Sequence, residues 1–260
     1  MIRSRLTVVT SMIVLAYAEA ASGQMLVYSG SLTVPIVAQT TSYTSTIYVH
    51  NPNSVSINVS FTYQGATSSA TPGTVPCASV EIAAGTVFKT SLAGLCPTLN
   101  IGSNFGALTT DYKGNTFAMY SRVETPSGNG FSVDGMVDTS GGNSRDVIGL
   151  RRQAAFPIYQ SNCFIYNEAS WDGRVVVTLA GGTGQLIASR IVNLQPYEFV
   201  RLLDVFAELS APAGDYDNVR AEFESIVPVG GGQSVPFMAS CTVQNSTSFD
   251  ADFRTAKIHY

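Results

Sequence analysis

The chain is short of charge, histidine and tryptophan. Asp, Glu, Lys and Arg make up 12% of its 260 residues, with two histidines and one tryptophan. A soluble chain usually carries about a quarter charged residues. With a net charge of −4, it lacks the basic footprint that holds nucleic acid or an anionic membrane. No nucleic-acid partner is expected. A Ser-His-Asp triad would have to recruit His50 or His259. No GxSxG elbow presents a serine to either, and His259 is penultimate. There is no CxxC and no histidine pair to hold zinc. GGTG at 181–184 and GGG at 230–232 are not followed by a lysine and a helix, so they read as hairpin tips rather than phosphate loops. No apolar run reaches the length of a membrane-spanning helix. These absences point away from an enzyme, a cofactor, a bound metal and a membrane span.

What is present begins with an export-like leader. Arg3 and Arg5 precede the apolar run Leu6–Tyr17, and Ala18-Glu19-Ala20 supplies small residues for cleavage. Residues 1–20 are therefore expected to be a signal peptide. The mature chain is then expected in the periplasm, outside the cell or at its surface. About 240 residues remain, enough for two domains of ordinary size. Hydrophobic residues at 45% support packed cores and exclude disorder.

The second half repeats the first. YTSTIYVHNPNS at 43–54 and YQSNCFIYNEAS at 159–170 match at an offset of 116 residues, pairing Tyr43 with Tyr159, Ser45 with Ser161 and Asn51 with Asn167. Val59, Phe61 and Tyr63 alternate with polar residues, as do Val175, Val177 and Leu179 at the same offset, which is the pattern of half-buried strands. A hairpin is expected in each copy, with Asn51 and Asn167 at its turn. Further along, Phe88 aligns with Phe199, Asn104 and Ala107 with Asn218 and Ala221, FAMYSRVET with FMASCTVQN, and Phe131 and Asp134 with Phe249 and Asp252. A period this long marks two copies of a domain. The expected fold is all-β: two tandem antiparallel β-sandwiches over 26–140 and 147–260, with a boundary near 141–146. Arg201–Leu209 has helical spacing, while its counterpart SLAGLC is interrupted by glycine.

Four cysteines allow three pairings. In the repeat alignment Cys163 takes the place of Ile47 and Cys241 that of Ser121. If those strands are neighbours, Cys163–Cys241 staples the second copy. Cys77 and Cys96 then close a short loop in the first. An export signal favours both bridges.

Two sets of residues are candidate sites. Asp215 and Asp217, like Asp250 and Asp252, have the DxD spacing that starts calcium loops, without the remaining oxygens that calcium needs. Tyr48, His50, Tyr166 and Trp171, with Phe164, lie on or beside the same element in the two copies. Such aromatics either stack on a sugar or bury against the neighbouring domain, the commoner outcome.

The phrase STIYVHNPNSVSINVSFTY, then AAGTVF or QPYEF, then RLLDVFAEL resembles secreted bacterial proteins built from tandem Ig-like sandwiches. The resemblance implies an Ig-like fold over most of residues 30–255 and carries no activity to any residue. The expected function is an exported, non-enzymatic structural or adhesion protein that meets a protein or glycan at the cell surface. The alternatives are a carbohydrate-binding module using the aromatics, then a secreted hydrolase. No oligomeric state follows from the sequence.

Overall fold

The computed structural model describes residues 28–99, 102–114, 116–137, 144–156, 158–227, 232–248 and 251–258. The expected signal peptide, His259, Phe249 and Asp250 lie outside them. The first repeat runs β1 (Tyr28–Gln39), β2 (Thr44–His50), β3 (Ile57–Gly65), β4 (Gly73–Ile82), β5 (Val87–Ser91), the single turn α1 (Leu92–Leu95), β6 (Asn104–Gly114), β7 (Ala118–Glu124), β8 (Gly130–Asp134) and β9 (Met136–Val137). The second runs β10 (Ser144–Arg152), β11 (Tyr159–Asn167), β12 (Gly173–Ala180), β13 (Leu186–Leu194), β14 (Phe199–Leu202), α2 (Val205–Glu208), β15 (Tyr216–Ser225), β16 (Phe237–Asn245), β17 (Ala251–Thr255) and β18 (Lys257–Ile258).

The fold is all-β and antiparallel, and its strand orders repeat element for element. The first repeat orders its strands β4-β3-β6-β1 and β5-β2-β7-β8, with β9 on β1; the second has β13-β12-β15-β10-β18 and β14-β11-β16-β17. In the first repeat the pair Gln39↔Thr44 joins β1 to β2, so its two layers form one nine-stranded sheet. The Ig order sets ABED against CFG. Here β2–β5 and β3–β6 reproduce its B–E and C–F pairs, but the fourth strand pairs with the third and the seventh with the second. The architecture is sandwich-like, with a strand order of its own.

The apolar alternation sets the cores. Val59, Phe61 and Tyr63 are buried in the first repeat, and Val175, Val177 and Leu179 in the second. Even the irregularities repeat. The first strand of each copy bulges at the same place, between Val34 and Val37 in β1 and between Val147 and Leu150 in β10. Pro35 occupies the first bulge, where a missing N–H is tolerated, and Gly149, at φ 76°, the second. The buried hydroxyl of Ser45 accepts from Ala38 N (2.8 Å), as that of Ser161 does from Arg151 N (2.9 Å).

Several sequence expectations are corrected. β2 and β3 are not a hairpin: β2 pairs with β1, β5 and β7, and β3 with β4 and β6. Asn51 therefore stands at a crossover between layers and is fully buried. Its Nδ2 donates to the carbonyls of Val55 (2.8 Å), Ile82 (3.0 Å) and Ala83 (3.1 Å). Asn167 is buried too, donating to the carbonyls of Trp171 (2.9 Å) and Gln195 (2.7 Å). The helix expected over Arg201–Leu209 shrinks to one turn, because Arg201 and Leu202 belong to β14. The Phe88–Phe199 alignment is one residue out. Val49↔Phe88 answers Ile165↔Val200, so Phe199 corresponds to Val87. Ala221 answers Leu108, and Asp252 answers Phe131. β15 and β16, the strands on either side of GGG at 230–232, belong to different sheets rather than to one hairpin; Gly230 and Gly231 lie outside the described residues. β10 starts at Ser144, inside the expected boundary, and Arg145 is buried there.

Candidate functional site: the seam between the repeats

The two repeats differ most on one face. In the first, β2 and β7 alternate buried and exposed residues on a face open to solvent. In the second, the corresponding β11 and β16 are buried on both faces, from Ser161 to Asn167 and from Phe237 to Val243. What covers them is the first repeat. Phe164, Tyr166, Phe199 and Met238 belong to its core cluster and are at most 8% exposed.

The contacts along this seam are specific. The Arg201 guanidinium sits 3.7 Å from the centre of the Phe105 ring, and burial lowers its pKa from the ordinary arginine value. Gln244 Nε2 donates to the Tyr43 hydroxyl (2.7 Å). Burial pushes that phenol above its ordinary value, partly opposed by the hydrogen bond. Phe131 and Phe253 stack at 6.2 Å, and Asn129 Nδ2 donates to the Ser248 carbonyl (2.8 Å).

The polar end of the seam opens into a cleft of about 300 Å³. Its floor is a row of threonines: Thr33, Thr109 and Thr62 lie directly opposite one another on β1, β6 and β3. Beside them Thr74 Oγ1 donates to Gln64 Oε1 (2.8 Å). The second repeat contributes Tyr166, Glu168 and Tyr197, and Asp111 completes the lining, in which no lysine or arginine stands among the described residues. A larger open depression, about 640 Å³, lies in the second repeat between Asp172–Arg174 and Asn193–Glu198.

The aromatics singled out from the sequence fall in three places. Tyr48 is half-buried on the outer face of the first repeat, stacked on Tyr120 at 4.6 Å with Lys89 Nζ 5.4 Å from its ring centre. His50 is exposed farther along that face. Tyr166 is in the seam, and Trp171, 43% exposed, is in a turn of the second repeat. They form no common platform. Asp215 and Asp217 also part company: Asp215 Oδ1 accepts from Ala154 N (2.9 Å), while Asp217 lies 3.9 Å from Arg151 Nε. Among the described residues no three of His, Cys, Asp and Glu gather as a metal site. The cysteines pair as expected, Cys77 with Cys96 and Cys163 with Cys241, on strands where Cys163 faces Cys241 and Ile47 faces Ser121. The threonine row and Tyr197 were missed. A signal for Tyr197 existed, since QPYEF sets a tyrosine where AAGTV has Gly85, but the one-residue slip hid it.

The chain matches no protein-family model, and no curated protein matches it.

Proposed function

We propose that the chain is an exported, non-enzymatic structural or adhesion protein whose two sandwiches work as one rigid unit. The observation that carries this reading is the seam. Burying an aromatic face of one repeat in the core cluster of the other suits a spacer or presenting arm, which must transmit orientation rather than hinge. Inter-domain contacts within a chain move by default unless they are large and apolar. The two disulfides suit an oxidising compartment. No helix among the described residues is long and apolar enough to cross a membrane.

The test is cell fractionation of the full-length chain, followed by N-terminal sequencing and non-reducing peptide mapping. The expected product starts near Ala21, lies outside the cytoplasm and carries both bridges. An uncleaved, reduced chain in the cytoplasm would overturn the reading.

A further inference from the structure

Tyr197 holds a backbone conformation that glycine adopts freely and tyrosine does not, with φ at 55°. Its counterpart in the first repeat is a glycine, Gly85, at φ 66°. The correspondence rests on hydrogen bonds. Gly85 N donates to Asn53 O and Tyr197 N to Ala169 O, while Asn51 N donates to Thr86 O and Asn167 N to Glu198 O. The turn is the same in both copies, and only the second places a large side chain on it. Core packing does not account for that ring, which is 42% exposed. A strained residue that the fold does not require is a pointer to function, and this ring lines the cleft in the seam.

The rest of the lining says what would bind. Thr62 offers a hydroxyl that both donates and accepts, Thr109 accepts, its own proton going to the Thr62 carbonyl (3.2 Å), and the Gln64 amide donates, while the more deeply buried Thr33 completes the floor. Asp111 and Glu168 accept from hydroxyl groups. Two carboxylates, with no lysine or arginine among the described lining residues, disfavour an anion. The Tyr197 ring supplies an apolar surface with a polar tip against which the C–H face of a sugar ring can lie. A volume of about 300 Å³ is at the small end for ligand sites and suits one or two sugar rings. We propose that the cleft between the repeats binds a neutral carbohydrate, with Tyr197 as its aromatic platform and the threonine row as its floor. The proposal rests on the adhesion reading above and gives it a ligand class.

The test is calorimetric titration of the intact oxidised protein with maltose, cellobiose and lactose, with spermine and calcium chloride as cationic controls. Tyr197→Gly and Thr109→Val are titrated alongside, and the melting temperature of each is recorded. Saturable binding of at least one disaccharide is expected, weakened about tenfold or more by either substitution. Tyr197→Gly should melt no lower than the parent, because glycine relieves the left-handed backbone. The proposal fails if no disaccharide binds, if only spermine or calcium binds, or if Tyr197→Gly binds as well as the parent. It also fails if Tyr197→Gly melts lower, since the ring would then be serving packing. None of these failures touches export or the oxidised bridges, which fractionation tests separately.

Discussion

Each repeat turns its corner on one buried asparagine. The Asn51 amide donates to three carbonyls and its Oδ1 accepts from Asn53 N (3.0 Å) and Asn53 Nδ2 (2.7 Å). A buried carbonyl left without its donor costs about 1–3 kcal/mol, so Asn51→Ala should destabilise the protein by about 3 kcal/mol in urea unfolding. Asn51→Asp should do no better, because a carboxylate cannot donate to those carbonyls. A loss within the error of the measurement would refute this role. The turn itself was legible: Asn53 N and Ala169 N (2.9 Å) bond the asparagine two residues before them, as that residue type predicts. Burial was not legible, since the partners that impose it, Ile82, Ala83 and Gln195, lie about thirty residues onward. Tyr63 gives a second test. Burial pushes its phenol up to about 12 from 10.0. Because the folded value is raised, its contribution is intact below pH 10 and falls between about pH 10 and 12 as unfolded chains release the proton first. Melts across that window should show a decline of up to about 2 kcal/mol, shallower in Tyr63→Phe.

At the scale of elements, the alternation and the repeat made most strands readable, and register is where the reading slipped. Phe88 and Phe199 look equivalent because both are aromatic. A shift of one residue reverses the face of a strand, and the position that answers Phe199 is Val87, 59% exposed where Phe199 is 1% exposed. Cys163 and Cys241 escaped this error because their strands carry the gap-free matches of YTSTIYVHN with YQSNCFIYN and of FAMYSRVET with FMASCTVQN. The two bridges close very different loops, with separations of 19 for Cys77–Cys96 and 78 for Cys163–Cys241. Loop-closure entropy then assigns about 3 kcal/mol to the first and about 4–5 kcal/mol to the second. Replacing Cys163 and Cys241 by alanine should therefore lower the urea midpoint more than replacing Cys77 and Cys96. The reverse order would mean that strain or residual structure, rather than loop length, governs these bridges.

For the whole molecule, the sequence allowed the aromatics two fates, a sugar platform or a packed interface. The choice depended on which face of the second copy the first would cover. Nothing local to Phe164 or Tyr166 encodes that: TIYVH and CFIYN both carry apolar or aromatic residues at successive positions, yet only the second is buried on both faces. The seam makes a claim about cooperativity. Separating the repeats would expose Phe164, Tyr166, Phe199 and Met238 and strip them from the first repeat's core cluster. The parent protein should therefore unfold in a single calorimetric transition. A desolvated cation–π contact is worth about 2 kcal/mol and an aromatic pair about 0.5–1.5 kcal/mol. Arg201→Ala combined with Phe131→Ala removes one of each from the seam, since Arg201 sits over Phe105 and Phe131 stacks on Phe253. Arg201 is a β14 residue and Phe131 a β8 residue; cutting them back to alanine shortens side chains without altering backbone pairing. The double variant should split the transition in two, with binding of a hydrophobic dye between the steps, while both disulfides remain intact on peptide mapping. A single transition at an unchanged midpoint would mean that the repeats are held by something other than this seam, and the rigid-unit reading would go with it.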